Sequence, residues 1–207
     1  MAYLFKGRNE KSFENSFFKA LQKIYYSGNI VAPRGQETLE LEHAVLEVDP
    51  LKSLIISPLR KMNWFFLLAE NMYYWSGRNS TELVSHYMKG YRKFSDNNLH
   101  QGAYSPQLLE QIRHVVNSLK NDPDSRQAVI TLWRPNPQQA KDIPCTISFD
   151  FKIRNNKLNM HSTMRSNDII WGSCYDIPSF SMIQIVIAGI LGIETGTLYL
   201  TAHSLHL

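Results

Sequence analysis

Apolar positions recur along the chain with two periods, which separate predicted helices from predicted strands. Spacing of three and four residues predicts three helices, over 12–28, 60–77 and 105–119. The segment 60–77 is apolar nearly all round, so we expect that helix to be buried. A fourth, strongly apolar helix is predicted to open at Pro178. Before it, Asp176 fits the position of an N-cap.

Alternation of apolar and polar residues marks the strands. Over 146–153 the apolar side chains face one way and the polar ones the other, and Asn155-Asn156 predicts a tight turn into 157–164. Further strands are predicted within 34–50, 52–58 and 127–133, and from about Thr197 to the end. Paired strands with several helices indicate an α+β fold, with a largely antiparallel or mixed twisted sheet.

Composition narrows the class of protein. The 207 residues are 43% hydrophobic and 19% charged, which suits one globular domain over 1–207 and excludes a disordered chain. The net charge of +4 fits an anionic small substrate or a nucleic acid and does not choose between them. We find no signal peptide and no apolar run of about 18 residues, so a cytoplasmic location without a membrane is expected. Because the chain ends on an apolar strand, we expect a C-terminal portion of the full-length protein to be missing.

Two residues suggest catalysis, and each also has a structural explanation. Cys145, after Pro144 at the start of a strand, is either a small buried hydrophobe or a nucleophile that needs a nearby positive charge or base. Glu70 lies in the middle of the apolar helix, where a carboxyl group either pairs with a cation or keeps a raised pKa suited to acid–base work. The second cysteine, Cys174, is expected to remain a free thiol that packs in the core.

Three arginines lie at predicted element boundaries: Arg34, Arg126 and Arg165. Each alone would be a surface residue, but together they could hold a phosphate, since guanidinium groups match phosphate oxygens. No metal-ligating pattern is present, so no metal is expected.

Several motifs, in this order, resemble the thymidylate synthase family over about residues 34–207. The quoted stretches are "APRGQET", "LLAENMYYWSG", "GAYSPQ", "NDPDSR", "DIPCTISFDFKI", "MRSNDIIWGSCYDIPSF" and "SLHL". The resemblance implies a homodimer formed through the sheet, with a pyrimidine nucleotide monophosphate and 5,10-methylenetetrahydrofolate as substrates. A nucleic acid is accordingly not the expected partner, and the lack of a long apolar run speaks against a membrane.

The resemblance also implies a role for each matched residue. Cys145 would add to C6 of the pyrimidine, Glu70 would move protons, and Tyr104 would support Glu70. The 5′-phosphate would be bound by Arg34, Arg165, Ser166 and Arg126, and Arg126 would come from the partner subunit across the dimer interface. Asp168 and Gly172 would contact the folate. His206 would approach the sugar.

Three departures from the family pattern refine the expected substrate. Asp176 stands where thymidylate-forming members have asparagine; a carboxylate only accepts hydrogen bonds, so it suits the 4-amino group of cytosine. Thr146 follows the cysteine where histidine is usual, and the Cys-Thr and Asp features are similar to phage-type deoxycytidylate hydroxymethylases. Gln127 replaces a second expected arginine. The sequence therefore predicts a CMP or dCMP 5-hydroxymethyltransferase. A divergent thymidylate synthase that methylates dUMP, or a non-catalytic homologue that binds nucleotide or RNA, remains open.

Overall fold

Within the residues that the structure describes, the fold combines a mixed sheet with five helices. A computed structural model describes residues 2–6, 11–134 and 142–207. The helices are α1 (Phe13–Ser27), α2 (Trp64–Tyr74), α3 (Glu82–Tyr87), α4 (Ser105–Asn121) and α5 (Ser173–Leu191). The strands are β1 (Tyr3–Lys6), β2 (Asn29–Val31), β3 (Thr38–Val48), β4 (Val129–Thr131), β5 (Thr146–Arg154), β6 (Lys157–Met164), β7 (Asn167–Asp168) and β8 (Glu194–His206). Short 3₁₀ turns occupy Pro33–Gly35, Pro50–Lys52 and Lys89–Phe94.

Within the described ranges, the strands form one sheet in the order β1-β3-β8-β6-β5-β4, with β2 beside β3 and β7 beside β8. The pairs β2–β3, β3–β8, β4–β5 and β5–β6 are antiparallel, whereas β1–β3, β6–β8 and β7–β8 are parallel. The predicted α+β class with a mixed sheet is confirmed. The homodimer stays a prediction.

The β5–β6 hairpin brings two predicted site residues together. Asn155 and Asn156 have φ values of 53° and 56°, the left-handed backbone that a tight two-residue turn requires. The register pairs Thr146 with Met164, with an irregularity between Thr146 and Ser148. The backbone N–H of Arg165 therefore donates to the carbonyl of Cys145 at 2.9 Å, just beyond the paired strands.

Helix α5 begins five residues earlier than predicted. The carbonyl of Gly172 accepts the backbone N–H groups of Tyr175 and Asp176, both at 2.9 Å, so Asp176 lies inside the first turn and is not the N-cap. Pro178 lies within the helix and forgoes only one backbone hydrogen bond. By length and composition alone α5 could cross a membrane, yet 61% of its apolar stretch is buried inside the protein, as in a core helix.

Two other predictions are wrong. Helix α2 is not buried all round, because Phe65, Leu68 and Met72 are 73%, 61% and 58% exposed. The segment 52–58 is not a strand: the backbone N–H groups of Ile56 and Ser57 donate to the Glu14 carboxylate and not to a neighbouring strand.

Candidate active site

A cavity of about 270 Å³ lies among α2, α5, the start of α4 and the loop before β5. Five predicted site residues line it: Glu70, Tyr104, Cys145, Gly172 and Asp176. Much of the remaining wall is aromatic, formed by Phe66, Tyr73, Tyr74, Tyr91, Phe94 and Trp171. Residues separated by more than 100 positions in the chain therefore meet at one concave site, the usual shape of a small-molecule site.

Cys145 is half-buried at the cavity wall, directly before β5. The Nη2 atom of Arg165 lies 3.7 Å from its Sγ, and the same guanidinium group is held by the carbonyls of Ile143 and Pro144 at 2.9 and 3.1 Å. Burial raises the pKa of the Cys145 thiol to about 11, although the charges of Arg165 and Arg34 act to lower it. The expected effect of the arginines is present, but burial outweighs it.

Glu70 projects from the buried face of α2 into the same cavity. Its Oε2 atom is buried without a hydrogen-bond partner among the described residues, so we find no support there for a structural ion pair. Burial, and then the charge of Asp176, raise the pKa of the Glu70 carboxyl group to about 8. The group therefore carries a proton at neutral pH and can donate it.

Asp176 is held by a short chain of buried polar groups. The Nδ2 atom of Asn167 donates to Asp176 Oδ2 at 2.7 Å, and the hydroxyl of Ser173 donates to Asn167 Oδ1. Burial raises the pKa of Asp176 to about 7, the Asn167 hydrogen bond opposes this rise, and the charge of Asp168 adds to it. Asp176 is thus balanced between its ionised and neutral forms near pH 7. Sequence reasoning missed Asn167 and Ser173, because an Asn and a Ser six positions apart carry no signal without the fold.

Tyr104 immediately precedes α4 and places its hydroxyl beside the cysteine loop. The oxygen accepts the backbone N–H of Thr146 at 3.2 Å, and the ring lies 5.5 Å from Tyr74 and 6.4 Å from Phe180. Burial holds the Tyr104 pKa well above its usual range, with the charges of Asp176 and Cys145 adding to the effect. Its hydroxyl therefore stays protonated and remains able to donate a hydrogen bond.

The predicted phosphate ligands are only partly brought together. Arg165 lies at the cysteine, and the charge of Arg34 is felt by the thiol. Arg34 has a left-handed φ of 55°, inside the turn Pro33–Gly35. Ser166 follows Arg165 and is half-buried. Arg126 is exposed and borders a different hollow together with Asp122, so this chain does not bring it to its own cysteine.

Of the residues predicted to contact folate and sugar, Gly172 lines the cavity, whereas Asp168 and His206 do not. Asp168 Oδ1 accepts the backbone N–H groups of Ile170 and Trp171, both at 2.7 Å, which shapes the loop leading into α5. Asp168 on β7 pairs with His206 on β8. A Cβ atom at Gly172 would lie 2.9 Å from the Asp168 carbonyl oxygen, so glycine lets this loop pack closely against the backbone of β7.

A second pair of titratable residues in the wall was not predicted. The Nε2 atom of His100 lies 2.5 Å from Asp142 Oδ2, and its Nδ1 atom lies 3.3 Å from the hydroxyl of Tyr91. All three residues line the cavity. His100 and Asp142 are 42 positions apart, and no spacing rule connects such residues.

An α+β chain in which a cysteine, with an arginine at its sulfur, and two buried carboxyl groups meet at one cavity has the residues of a site for nucleophilic catalysis. A comparison with protein families matches residues 15–207 to the family described as "Thymidylate synthase". The chain belongs to the thymidylate synthase family, and the resemblance seen in its motifs is confirmed.

Curated relatives add detail. The chain is 31% identical to the "Deoxyuridylate hydroxymethyltransferase" of Bacillus phage SP01, over 92% of this chain and 55% of the relative. It is also 31% identical to the protein of the same name from Pseudomonas phage M6, over 71% of this chain and 45% of the relative. A "Putative thymidylate synthase" of Methanothermobacter thermautotrophicus is 27% identical, over 90% of this chain and 85% of the relative. The chain spans about half the length of the two phage relatives.

Proposed function

We propose that this protein transfers a one-carbon unit from 5,10-methylenetetrahydrofolate to C5 of a cytosine nucleotide, CMP or dCMP, and that water completes a 5-hydroxymethyl product. The observation that carries this proposal is the convergence of Cys145, with Arg165 at its sulfur, and the carboxyl groups of Glu70 and Asp176 on one cavity. This arrangement would put an acid, a nucleophile and a hydrogen-bond acceptor for the base around a single small molecule.

The thiol of Cys145 must lose its proton before it can attack C6 of the ring, because only the thiolate is nucleophilic. Arg165 is already close enough to stabilise that charge. Attack at C6 moves electron density to C5 and to the ring oxygen or nitrogen atoms. Neutral Glu70 and the Tyr104 hydroxyl can donate hydrogen bonds or a proton as this charge develops.

The aromatic wall fits a flat pterin ring, since aromatic side chains such as Trp171 and Tyr91 bind planar groups by stacking. 5,10-Methylenetetrahydrofolate would supply the one-carbon unit. Gly172 permits close approach to the backbone at this wall, and Asp168 holds the neighbouring loop in place. We assign both residues to the folate side of the cavity.

Asp176 supports a preference for cytosine. The ionised carboxylate accepts a hydrogen bond from the 4-amino group of cytosine. At the same position uracil presents the carbonyl oxygen O4, which is also an acceptor and would be repelled by the carboxylate. Asn167 stabilises that ionised form by donating at 2.7 Å. Near pH 7 the neutral form is also populated, and its hydroxyl could donate to cytosine N3.

Deoxyuridylate is the second candidate substrate, favoured by two observations. A neutral Asp176 can donate to uracil O4, and the two phage relatives are named as deoxyuridylate enzymes. Thymidylate synthesis from dUMP is distinguished from either hydroxymethylation because methylation converts the folate to dihydrofolate. A non-catalytic nucleotide- or RNA-binding role would leave the acid and nucleophile at this cavity without use.

We also propose a homodimer in which Arg126 enters the neighbouring subunit's site. Its exposed position, outside its own cavity, is compatible with this arrangement. Two free thiols agree with action in the reducing cytoplasm.

The test is to incubate the protein with formaldehyde, tetrahydrofolate and each of CMP, dCMP, UMP and dUMP, and to identify products by mass spectrometry. A 5-hydroxymethyl cytosine nucleotide without dihydrofolate is the expected result. Turnover of dUMP alone, to dTMP with dihydrofolate, would show that both the cytosine preference and the hydration are wrong.

A further inference from the structure

We infer that Asp142, His100 and Tyr91 form a hydrogen-bonded relay that accepts the proton of the water added to the substrate's one-carbon group. This inference rests on the proposed function and assigns its final step, in which a water molecule must be deprotonated. The three residues line the same cavity as Cys145; Asp142 and His100 have no part in the steps described above, and Tyr91 has so far been given a role only through its ring.

The geometry orders the relay. An ionised Asp142 accepts from His100 Nε2–H across 2.5 Å, and this selects the tautomer in which Nδ1 carries no proton. Nδ1 is then the acceptor for the Tyr91 hydroxyl at 3.3 Å. The tyrosine oxygen keeps lone pairs free to accept a proton from a water molecule in the cavity. The carboxylate orients the imidazole, and the imidazole makes the phenol oxygen a better proton acceptor.

The surroundings of His100 hold it against Asp142 and Tyr91. His100 is 7% exposed, so its ring nitrogens depend on protein partners. Tyr91 packs its ring against His100 at 5.2 Å and against Phe66 at 6.0 Å. Gly102 leaves room for the pair, because a Cβ atom at that position would lie 2.6 Å from Asp142 Oδ2.

The relay also lies within electrostatic reach of the reacting groups. The charge of Asp142 raises the pKa of Cys145 after the effect of burial, and the charges of Glu70, Tyr104 and Asp142 add to the burial that raises the pKa of Tyr91. Water held at the Tyr91 hydroxyl would therefore lie in the chamber that contains the thiol and Glu70.

The proposed step balances as follows. The intermediate carries a C6–S bond to Cys145 and an exocyclic methylene on C5. The oxygen of water bonds to the methylene carbon, and the methylene–C5 π electrons move to C5. The water proton passes to the Tyr91 oxygen as the Tyr91 proton passes to His100 Nδ1. The electron pair at C5 then restores the C5=C6 bond and expels the Cys145 thiolate, with no oxidant or reductant.

The test separates hydration from the earlier steps. Enzyme in excess is mixed with 5-tritiated dCMP or CMP and the folate, and the reaction is stopped at successive times. Tritium release reports all steps through loss of the C5 proton, the hydroxymethyl nucleotide reports hydration, and intact-protein mass spectrometry detects the adduct on Cys145. For His100→Gln we expect near-normal tritium release, accumulation of the methylene adduct, and product formation about 100-fold slower, as for loss of a general base.

Two further variants guard against misfolding, and one serves as the control. Tyr91→Phe removes only the hydroxyl, and Asp142→Asn removes only the charge, so both should also accumulate the adduct. His86→Gln changes an exposed histidine on α3 that packs edge-to-face against Tyr87 outside the cavity, and it should behave as wild type.

The outcomes distinguish the two proposals. Equal loss of tritium release and product in Tyr91→Phe and His100→Gln, or no change in either, would overturn the relay while leaving the proposed function intact. A wild-type protein that forms a methylated nucleotide and dihydrofolate would overturn both, because no water then adds.

Discussion

The Asn167→Leu substitution tests how Asp176 chooses between bases. Leucine approximates the size of asparagine but removes the amide that donates to Asp176 Oδ2 at 2.7 Å. A hydrogen bond to an ionised group contributes about 1.5–3 kcal/mol, and about 1.4 kcal/mol corresponds to one pKa unit. Because the amide stabilises the carboxylate, its loss should raise the pKa of Asp176 above about 7, by about 1–2 units.

The quantity to measure is the ratio of kcat/KM for dCMP to kcat/KM for dUMP, obtained by product analysis. The pH should run from about 5.5 to about 9, a range that extends above and below the pKa of Asp176 in both proteins. Discrimination against uracil belongs to the ionised form, so the wild-type ratio should rise as pH increases through about 7. In Asn167→Leu the same rise should occur at higher pH. Ser173→Ala, which only frees the Asn167 amide to reorient, should shift it less.

Asn117→Leu provides the matched control, since Asn117 is exposed on α4 away from the cavity and should leave the profile unchanged. Thermal unfolding of each variant checks that it folds. A wild-type ratio independent of pH, or an Asn167→Leu ratio with the wild-type midpoint, would refute the reasoning.

Three further substitutions follow from the same site. Cys145→Ala should abolish tritium release from C5 of the substrate, whereas Cys174→Ala, at the thiol that donates to the Ile169 carbonyl, should retain it; release by Cys145→Ala would rule out the nucleophile assignment. Asp176→Asn should raise uracil turnover relative to cytosine and flatten the pH dependence of their ratio, as measured by competition between the two nucleotides. Glu70 binds its proton more tightly in the folded protein, so the free energy of unfolding of the wild type should fall as pH rises from about 4.5 to about 8. Urea unfolding of Glu70→Gln should show a smaller fall over this pH range, and an unchanged pH dependence would contradict the raised pKa.

Hydrophobic periodicity and turn residues predicted most of the helices and strands, because these elements depend mainly on residues close together in the chain. Alternation in 146–153 and the Asn155-Asn156 pair predicted the hairpin, and the structure confirms it. The same rules failed for 52–58, where the Glu14 carboxylate takes the backbone N–H groups that a strand would have shared. They also misplaced the start of α5, since Pro178 is tolerated inside a helix whose first turn is anchored on Gly172.

Some residues of the candidate site were predicted from the sequence, and others were found only in the structure. Motif order identified Cys145, Glu70, Tyr104 and Asp176, and all four line the cavity. The motifs carried no information about His100, because its importance depends on Asp142, which lies 42 positions away in the chain and meets it only in the folded protein.

The sequence by itself determined which chemical groups are present and how the nearest of them are aligned. The two-asparagine turn fixes the hairpin register as far as Ser148 and Thr163, and an irregularity between Thr146 and Ser148 then shifts the pairing so that Arg165 comes beside Cys145. The tertiary structure alone decided the protonation of those groups. Burial and neighbouring charges raise the pKa of Glu70 to about 8, of Asp176 to about 7 and of Cys145 to about 11. The burial of each group and the charges near it depend on how elements distant in the chain pack together.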